Sequence, residues 1–360
     1  MRNRAIDAYR FLFSVVIMYY HYRTQISDTF LTSGYQVVEF FFILSGFLMA
    51  TASQQPKYTE LPLCKAHMTY MNGRIKRLWP HYLLSLCCFY AVAIFFTGRW
   101  TLEKLLRWQL PEIFMLHMTG LSNPKYVGMG ADWYVGSLIV ASFLLFLPCL
   151  RWKRIFQTYV APILSVSIYV CLWREYGHLG AIRGDLLNTY SGTLRAIAAM
   201  CLGCILHGVY CYLREHYTRR TAKPARVFFT LVEVACVTAA CISFGGQRKT
   251  ERDYLMVLVF AIIILFAFLK LGYLSEMLDN GFSAYLSKIS YAIFLNHMAF
   301  KEAFSVIHGP TTLKAICYGV CVIAFSMLTT ALMDAATKKK PVSKVFHLLF
   351  VPKKIEKESA

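Results

Sequence analysis

Of 360 residues, 57 % are hydrophobic and 16 % charged, with a formal net charge of +19. The mean hydropathy is +0.48, a balance that excludes a soluble globular domain and predicts an all-α polytopic membrane protein. The positive charge does not point to nucleic acid, because the basic residues sort by loop. With the amino terminus in the cytoplasm, about 23 Lys and Arg fall in cytoplasmic segments and about 10 in the opposite loops, as the positive-inside rule requires. Both termini are then cytoplasmic, and the number of spans is even. Most of the twelve cysteines lie in apolar runs, where a thiol packs as a small hydrophobe. They predict no disulfide framework, and Cys201 and Cys204 are expected to pack rather than bind metal.

Ten runs approach the length of a bilayer span, at roughly 6–22, 35–52, 80–97, 133–150, 158–173, 191–211, 226–244, 254–272, 284–303 and 314–334. The first carries Asp7, Arg10 and His21 and lacks a small-residue cleavage site, so it is expected to be a retained helix. Arg10 and His21 are eleven residues apart, about three turns at about 100° per residue, so they share a face with a rise of roughly 16 Å between them. Asp7, Ser14 and Ile17 extend that stripe. With Arg10 near the inner boundary, the rise puts His21 at about the middle of the hydrocarbon core. Intramembrane ionisable groups are costly and mark functional sites.

In the second span, the apolar run Val38 to Leu48 is broken by Glu39 and the step Ser45-Gly46. A lone carboxylate in hydrocarbon needs a partner, and Arg10 or His21 can supply it; the alternative is an interfacial Glu at the outer end of the span. Ser53 to Trp79 reads as a non-spanning cytoplasmic stretch that carries Arg74 and Arg77 one turn apart, a pair able to grip one anion or simply to mark the cytoplasmic side. Gly98 to Asp132 is the other long non-spanning stretch. Its Trp100, Leu102, Leu105, Leu106 and Trp108 fall at near-helical spacing, as expected for a helix on the outer interface. Trp133 opens the fourth span with an aromatic pair suited to the interface, and Arg195 begins the sixth, where snorkelling explains it. His297 lies inside the ninth span.

By chemistry His21 is the strongest catalytic candidate, because an imidazole takes up and releases protons near neutral pH. No Ser-His-Asp order, metal-ligand pair or glycine-rich phosphate loop is present, so no metal is expected.

These segments resemble the acyltransferase-3 family of bacterial integral-membrane O-acyltransferases. Arg10 and His21 match the family's Arg-x10-His, and Glu39 to Phe47 its acid-x-Phe-Phe-x-x-Ser-Gly-Phe. Arg74, Arg77 and Pro80 match its Arg-x2-Arg-x2-Pro, and Ser290, Tyr291, Leu295 and His297 its late Ser-Tyr-x3-Leu-x-His. The resemblance implies a ten-helix membrane domain over 1–336 with a basic cytoplasmic tail over 337–360, in a bacterial inner membrane. It also implies an acyl-coenzyme A donor, usually acetyl-CoA, and transfer to a hydroxyl of a surface glycan or its lipid-linked precursor. His21 would be the base or a transient acyl carrier, assisted by Arg10 and Glu39. Arg74 and Arg77 would hold the donor, and His297, Trp133 and Ser45 would contact substrate. Membrane lipids are the other expected partner, and a homo-oligomer is left open. One departure is that Ser137 is followed by Leu138 and Ile139, where many members carry Val-Glu. A polysaccharide exporter or flippase, its path lined by the same stripe, is the competing reading; paired interrupted helices in two related halves would favour it, and none is seen.

Overall fold

The computed structural model describes residues 3–27, 29–119, 128–186, 189–216 and 223–338. Ten long helices carry the architecture: α1 (Arg4–Tyr22), α2 (Val37–Ala52), α3 (Leu63–Ala91), α4 (Trp133–Arg151), α5 (Ala161–Tyr176), α6 (Ser191–His216), α7 (Lys223–Phe244), α8 (Arg252–Leu269), α9 (Gly281–Phe304) and α10 (Thr311–Lys338). Each contains one of the ten expected spans or most of it. A two-residue hairpin, Asp185–Leu186 with Thr189–Tyr190, is the extended pairing among the described residues.

Length and composition alone qualify eight of these helices, with their immediate extensions, as membrane-crossing. The remaining two, α1 and α9, are diluted by polar residues, and they pack against each other along their length inside the bundle. They run parallel, since Arg10 meets Ser287 near one end and His21 meets His297 towards the other. Both start on a side-chain cap: Asn3 Oδ1 accepts from the Ile6 N–H (3.1 Å) and Asn280 Oδ1 from the Ser283 N–H (3.0 Å), satisfying donors that a helix start leaves open. The end at which α1 and α9 begin is the near end of the bundle.

The second tight pair, α2 with α6, is also parallel and is set by glycine. A Cβ at Gly46 would overlap the Met200 carbonyl, and one at Gly203 the Ile43 carbonyl. The two backbones touch there, as small residues permit between helices in lipid. α3 differs most from expectation. It begins at Leu63, not near residue 80, and a π-helical turn prolongs it from Val92 to Phe96. Arg74 and Arg77 therefore sit inside a long helix rather than in a loop. Pro80 deprives the Lys76 carbonyl of its helical donor, yet the helix continues; two residues on, the Tyr291 hydroxyl donates to Leu78 O (3.2 Å).

The expected outer segment forms short helices at Leu102–Trp108 and Leu110–Ile113, matching the apolar spacing. α10 extends two residues past the expected domain boundary at 336. The basic tail from 339 onward lies outside the described residues, as do Arg2, Asn123, Lys125, Arg219 and Arg220.

Candidate functional site in the bundle

The polar stripe of α1 faces α9 throughout, and its residues fall at two levels. At the near level Arg10 Nη1 donates to Ser287 Oγ (3.2 Å), and that hydroxyl donates to Asp7 Oδ1 (2.6 Å). Arg74 is buried, gives Nη1 to the Tyr70 hydroxyl (2.8 Å), and has a buried Nε with no partner. Tyr70 is itself held flat on Phe146, with centroids 3.9 Å apart. Arg77 remains exposed and within electrostatic reach of Arg74 and Arg10. Tyr134 lies within reach of Arg74, Arg10 and Ser45; Tyr291 lies within reach of Arg74 and Arg77. Three guanidinium groups, Ser45 and two phenols thus cluster at the near level.

The second level is the histidine pair. His21, half-buried, has Nδ1 3.0 Å from Ile17 O and 3.1 Å from His297 Nε2. His297 is fully buried, and its Nδ1 lies 3.3 Å from Ile293 O. The ring centroids are 4.9 Å apart. Tyr318 of α10 fastens both backbones, donating towards Met18 O (3.2 Å) and His297 O (3.3 Å). Lys301, one turn beyond His297 on the same helix face, is within electrostatic reach of both imidazoles.

His21 lies towards the far end of its helix. It is the penultimate residue of α1, and α9 continues seven residues past His297, about 10 Å at 1.5 Å per residue. Arg10, for its part, is seven positions into α1's count rather than at its start, which shifts the pair towards the far end.

Glu39 is placed elsewhere than expected. Its Oε1 accepts from Arg195 Nε (2.8 Å) and its Oε2 from the Tyr169 hydroxyl (2.7 Å), and all but Tyr169 are fully buried. Neither Arg10 nor His21 is its partner, because Phe40 takes the α1 side of α2 against Phe13 (4.7 Å) and turns Glu39 about 100° away, towards α5 and α6. Arg195 consequently does not snorkel. It is among the largest fully buried side chains, with its guanidinium carbon 5.2 Å from the centre of the Trp133 ring. Trp133, expected to touch substrate, stands in this ion-pair group. Phe42 and Tyr134 (4.7 Å apart), then Phe294 (5.1 Å from Tyr134), separate it from His297. Among the described residues, no group of three or more His, Cys, Asp or Glu is arranged to hold a metal ion.

Sequence reasoning missed Ser287, Lys301 and Arg195's role. Ser287 and His297 are ten apart on α9, nearly the eleven-residue interval of Arg10 and His21 on α1, so the repeated interval was the available signal. Residues 3–331 match the acyltransferase domain that defines acyltransferase-3 proteins, which is nearly the whole chain. The chain belongs to the acyltransferase-3 family. Neither a curated protein nor a solved structure matches it. Membership of this family points to acyltransferase activity for this multi-pass protein, and implies an acyl donor and an acceptor.

Proposed function

We propose that this acyltransferase-3 protein moves an acyl group, acetyl in the simplest case, from acyl-coenzyme A to a hydroxyl of a cell-surface polysaccharide or its lipid-linked precursor, in a bacterial inner membrane with both termini cytoplasmic. The observation that carries the proposal is the two-level polar seam between α1 and α9, with an arginine cluster at one level and a half-buried histidine at the other. With the near end cytoplasmic, the arginine cluster lies on the side where a soluble, phosphorylated donor arrives.

Arg74 offers a buried guanidinium Nε–H that nothing in the protein satisfies, the kind of group that a phosphate oxygen completes. Arg77 and Arg10 add charge, and Ser45 and Tyr134 add hydroxyls. The long pantetheine arm of the donor spans the roughly 16 Å from Arg10 to the level of His21. In the reaction His21 takes the proton of the acceptor hydroxyl while the hydroxyl oxygen attacks the thioester carbonyl carbon. The carbon–sulfur bond then breaks, coenzyme A leaves as thiolate, and the proton on His21 passes to that sulfur. An ester and a free thiol result, and the base is restored. Glu39, which accepts from Arg195 and Tyr169, and Arg195, which keeps one buried Nη2 without a partner, act as a brace between α2 and α6.

The test is alkali-labile acetate on surface glycans from a strain lacking the gene and complemented with wild type or His21→Ala. The reading expects acetate restored by wild type and not by the variant at equal membrane expression. Equal acetate in both would remove His21 from the reaction, and none in either would remove the acetyl donor or the surface glycan from the reading.

A further inference from the structure

The contacts of the histidine pair determine which nitrogen of His21 does the chemistry. A carbonyl oxygen can only accept, so Ile293 O at 3.3 Å requires a proton on His297 Nδ1, and Ile17 O at 3.0 Å requires one on His21 Nδ1. A neutral His297 protonated at Nδ1 has its lone pair on Nε2, and that atom lies 3.1 Å from His21 Nδ1. The two requirements agree: one N–H of His21 is shared between Ile17 O and His297 Nε2. The opposite assignment would set lone pairs against each other at Ile17 O or leave two protons facing across the pair. Both carbonyls belong to helix backbone, four residues before their histidines, so neither can turn away.

We infer that His297 is a positioning residue that holds His21 in the tautomer with its lone pair on Nε2, making that nitrogen the proton acceptor. This deepens the acyl-transfer reading and rests on it for the catalytic consequence, though not for the tautomer. The arrangement also tolerates the next state. When Nε2 takes a proton, His21 Nδ1 keeps its own, and every contact of the pair remains donor to acceptor. The pair therefore need not reorganise between the two states a general base alternates between. Exposure divides the roles in the same way: His21 is half-buried and His297 fully buried, so substrate can meet the first and not the second. Tyr318 and the aromatic contact with Phe294 (6.1 Å) keep the supporting ring in place.

The experiment is solid-state ¹⁵N NMR of the full chain, histidine-labelled and reconstituted in lipid bilayers, with His21→Asn used to assign the signals. The inference expects wild-type His21 protonated at Nδ1 and unprotonated at Nε2. In His297→Leu, where Ile17 O is left as the lone acceptor for that proton, the preference should weaken, and in His297→Gln it should be restored, because the glutamine side-chain oxygen can accept in place of the imidazole Nε2. A wild-type His21 protonated at Nε2 overturns the inference even if no variant folds, and so does an unchanged tautomer in His297→Leu. Acylation is the second arm: kcat should fall by on the order of 10-fold or more in His297→Leu with KM for acetyl-CoA little changed, and His297→Gln should recover much of it. A tautomer as stated together with full acylation in His21→Ala would sink the functional reading and leave the tautomer intact. The reverse pattern, acylation lost in His21→Ala but unaltered in His297→Leu, would overturn the positioning role.

Discussion

His21 and Arg10 share one face of α1 but serve opposite ends of the proposed transfer. Replacing His21 with Ala should lower acylation by on the order of 10²–10⁴, the usual yield of a positioned base, without loss of membrane insertion, because one residue near a helix end does not decide helix formation. Rates in membranes normalised to expressed protein check this. Arg74→Lys keeps the positive charge but cannot present a planar fork to Tyr70 and an anion together. It should raise KM for acyl-CoA several-fold with a smaller effect on kcat, and unchanged saturation curves would leave Arg74 a topology signal alone. These residues were legible in the sequence because ionisable groups are few in apolar runs and each needs a reason to be there. Arg195 was misread for the converse reason. A cation at the first turn of a span looks like a snorkelling residue, and only the packing of α2 on α6 shows that Glu39 is within 2.8 Å. Breaking that buried pair strands a charge, so Glu39→Gln should lower stability by about 3–5 kcal/mol, read as a drop in detergent melting temperature.

Close helix contact and a buried acid pair decide how the elements around the seam hold together. Where α2 meets α6, the Gly46 and Gly203 positions leave no room for a methyl group. Gly46→Ala should therefore cost about 1–3 kcal/mol by overpacking, with wild-type melting contradicting the contact. The second device braces the loop before α4. Glu112, in the short helix Leu110–Ile113, accepts from the Met129 N–H (2.8 Å) and the Tyr90 hydroxyl, while its own carbonyl accepts from Tyr82 (2.6 Å). Burial, then the neighbouring Asp132, hold its carboxyl well above the usual carboxylate range. Asp132 also lies 3.1 Å from His117 Nε2, and burial lowers the pKa of that imidazole. A carboxyl raised in the folded state stabilises below the ordinary carboxylate value, and that stabilisation is lost as pH rises through the elevated value. Melting temperature should fall with rising pH across that window in wild type and less so in Glu112→Gln. Equal slopes would contradict it. None of this was visible in the sequence, since Glu112, His117 and Asp132 are spread over a stretch whose chain path hydropathy does not give.

Across the whole molecule, ten helices were readable from hydropathy, and eight satisfy a strict test of length and composition. The two that do not, α1 and α9, are weakened by the very residues that form the seam, because a helix can carry buried polar groups in a membrane when another helix satisfies them. Sidedness can be checked with single cysteines in a cysteine-free background. Lys57→Cys should react with a membrane-impermeant maleimide from the cytoplasmic side and Glu103→Cys from the outside, and reversal of either would invert the proposed orientation. The most direct test of the central claim is transfer itself: membranes carrying the purified, reconstituted protein are given acetyl-CoA labelled in the acetyl group together with the surface glycan fraction of a deletion strain. Alkali-labile label on the glycan with wild type, and none with His21→Ala, is the predicted result. Label that is equal for the two proteins, or absent from wild type that binds acetyl-CoA, would contradict the account.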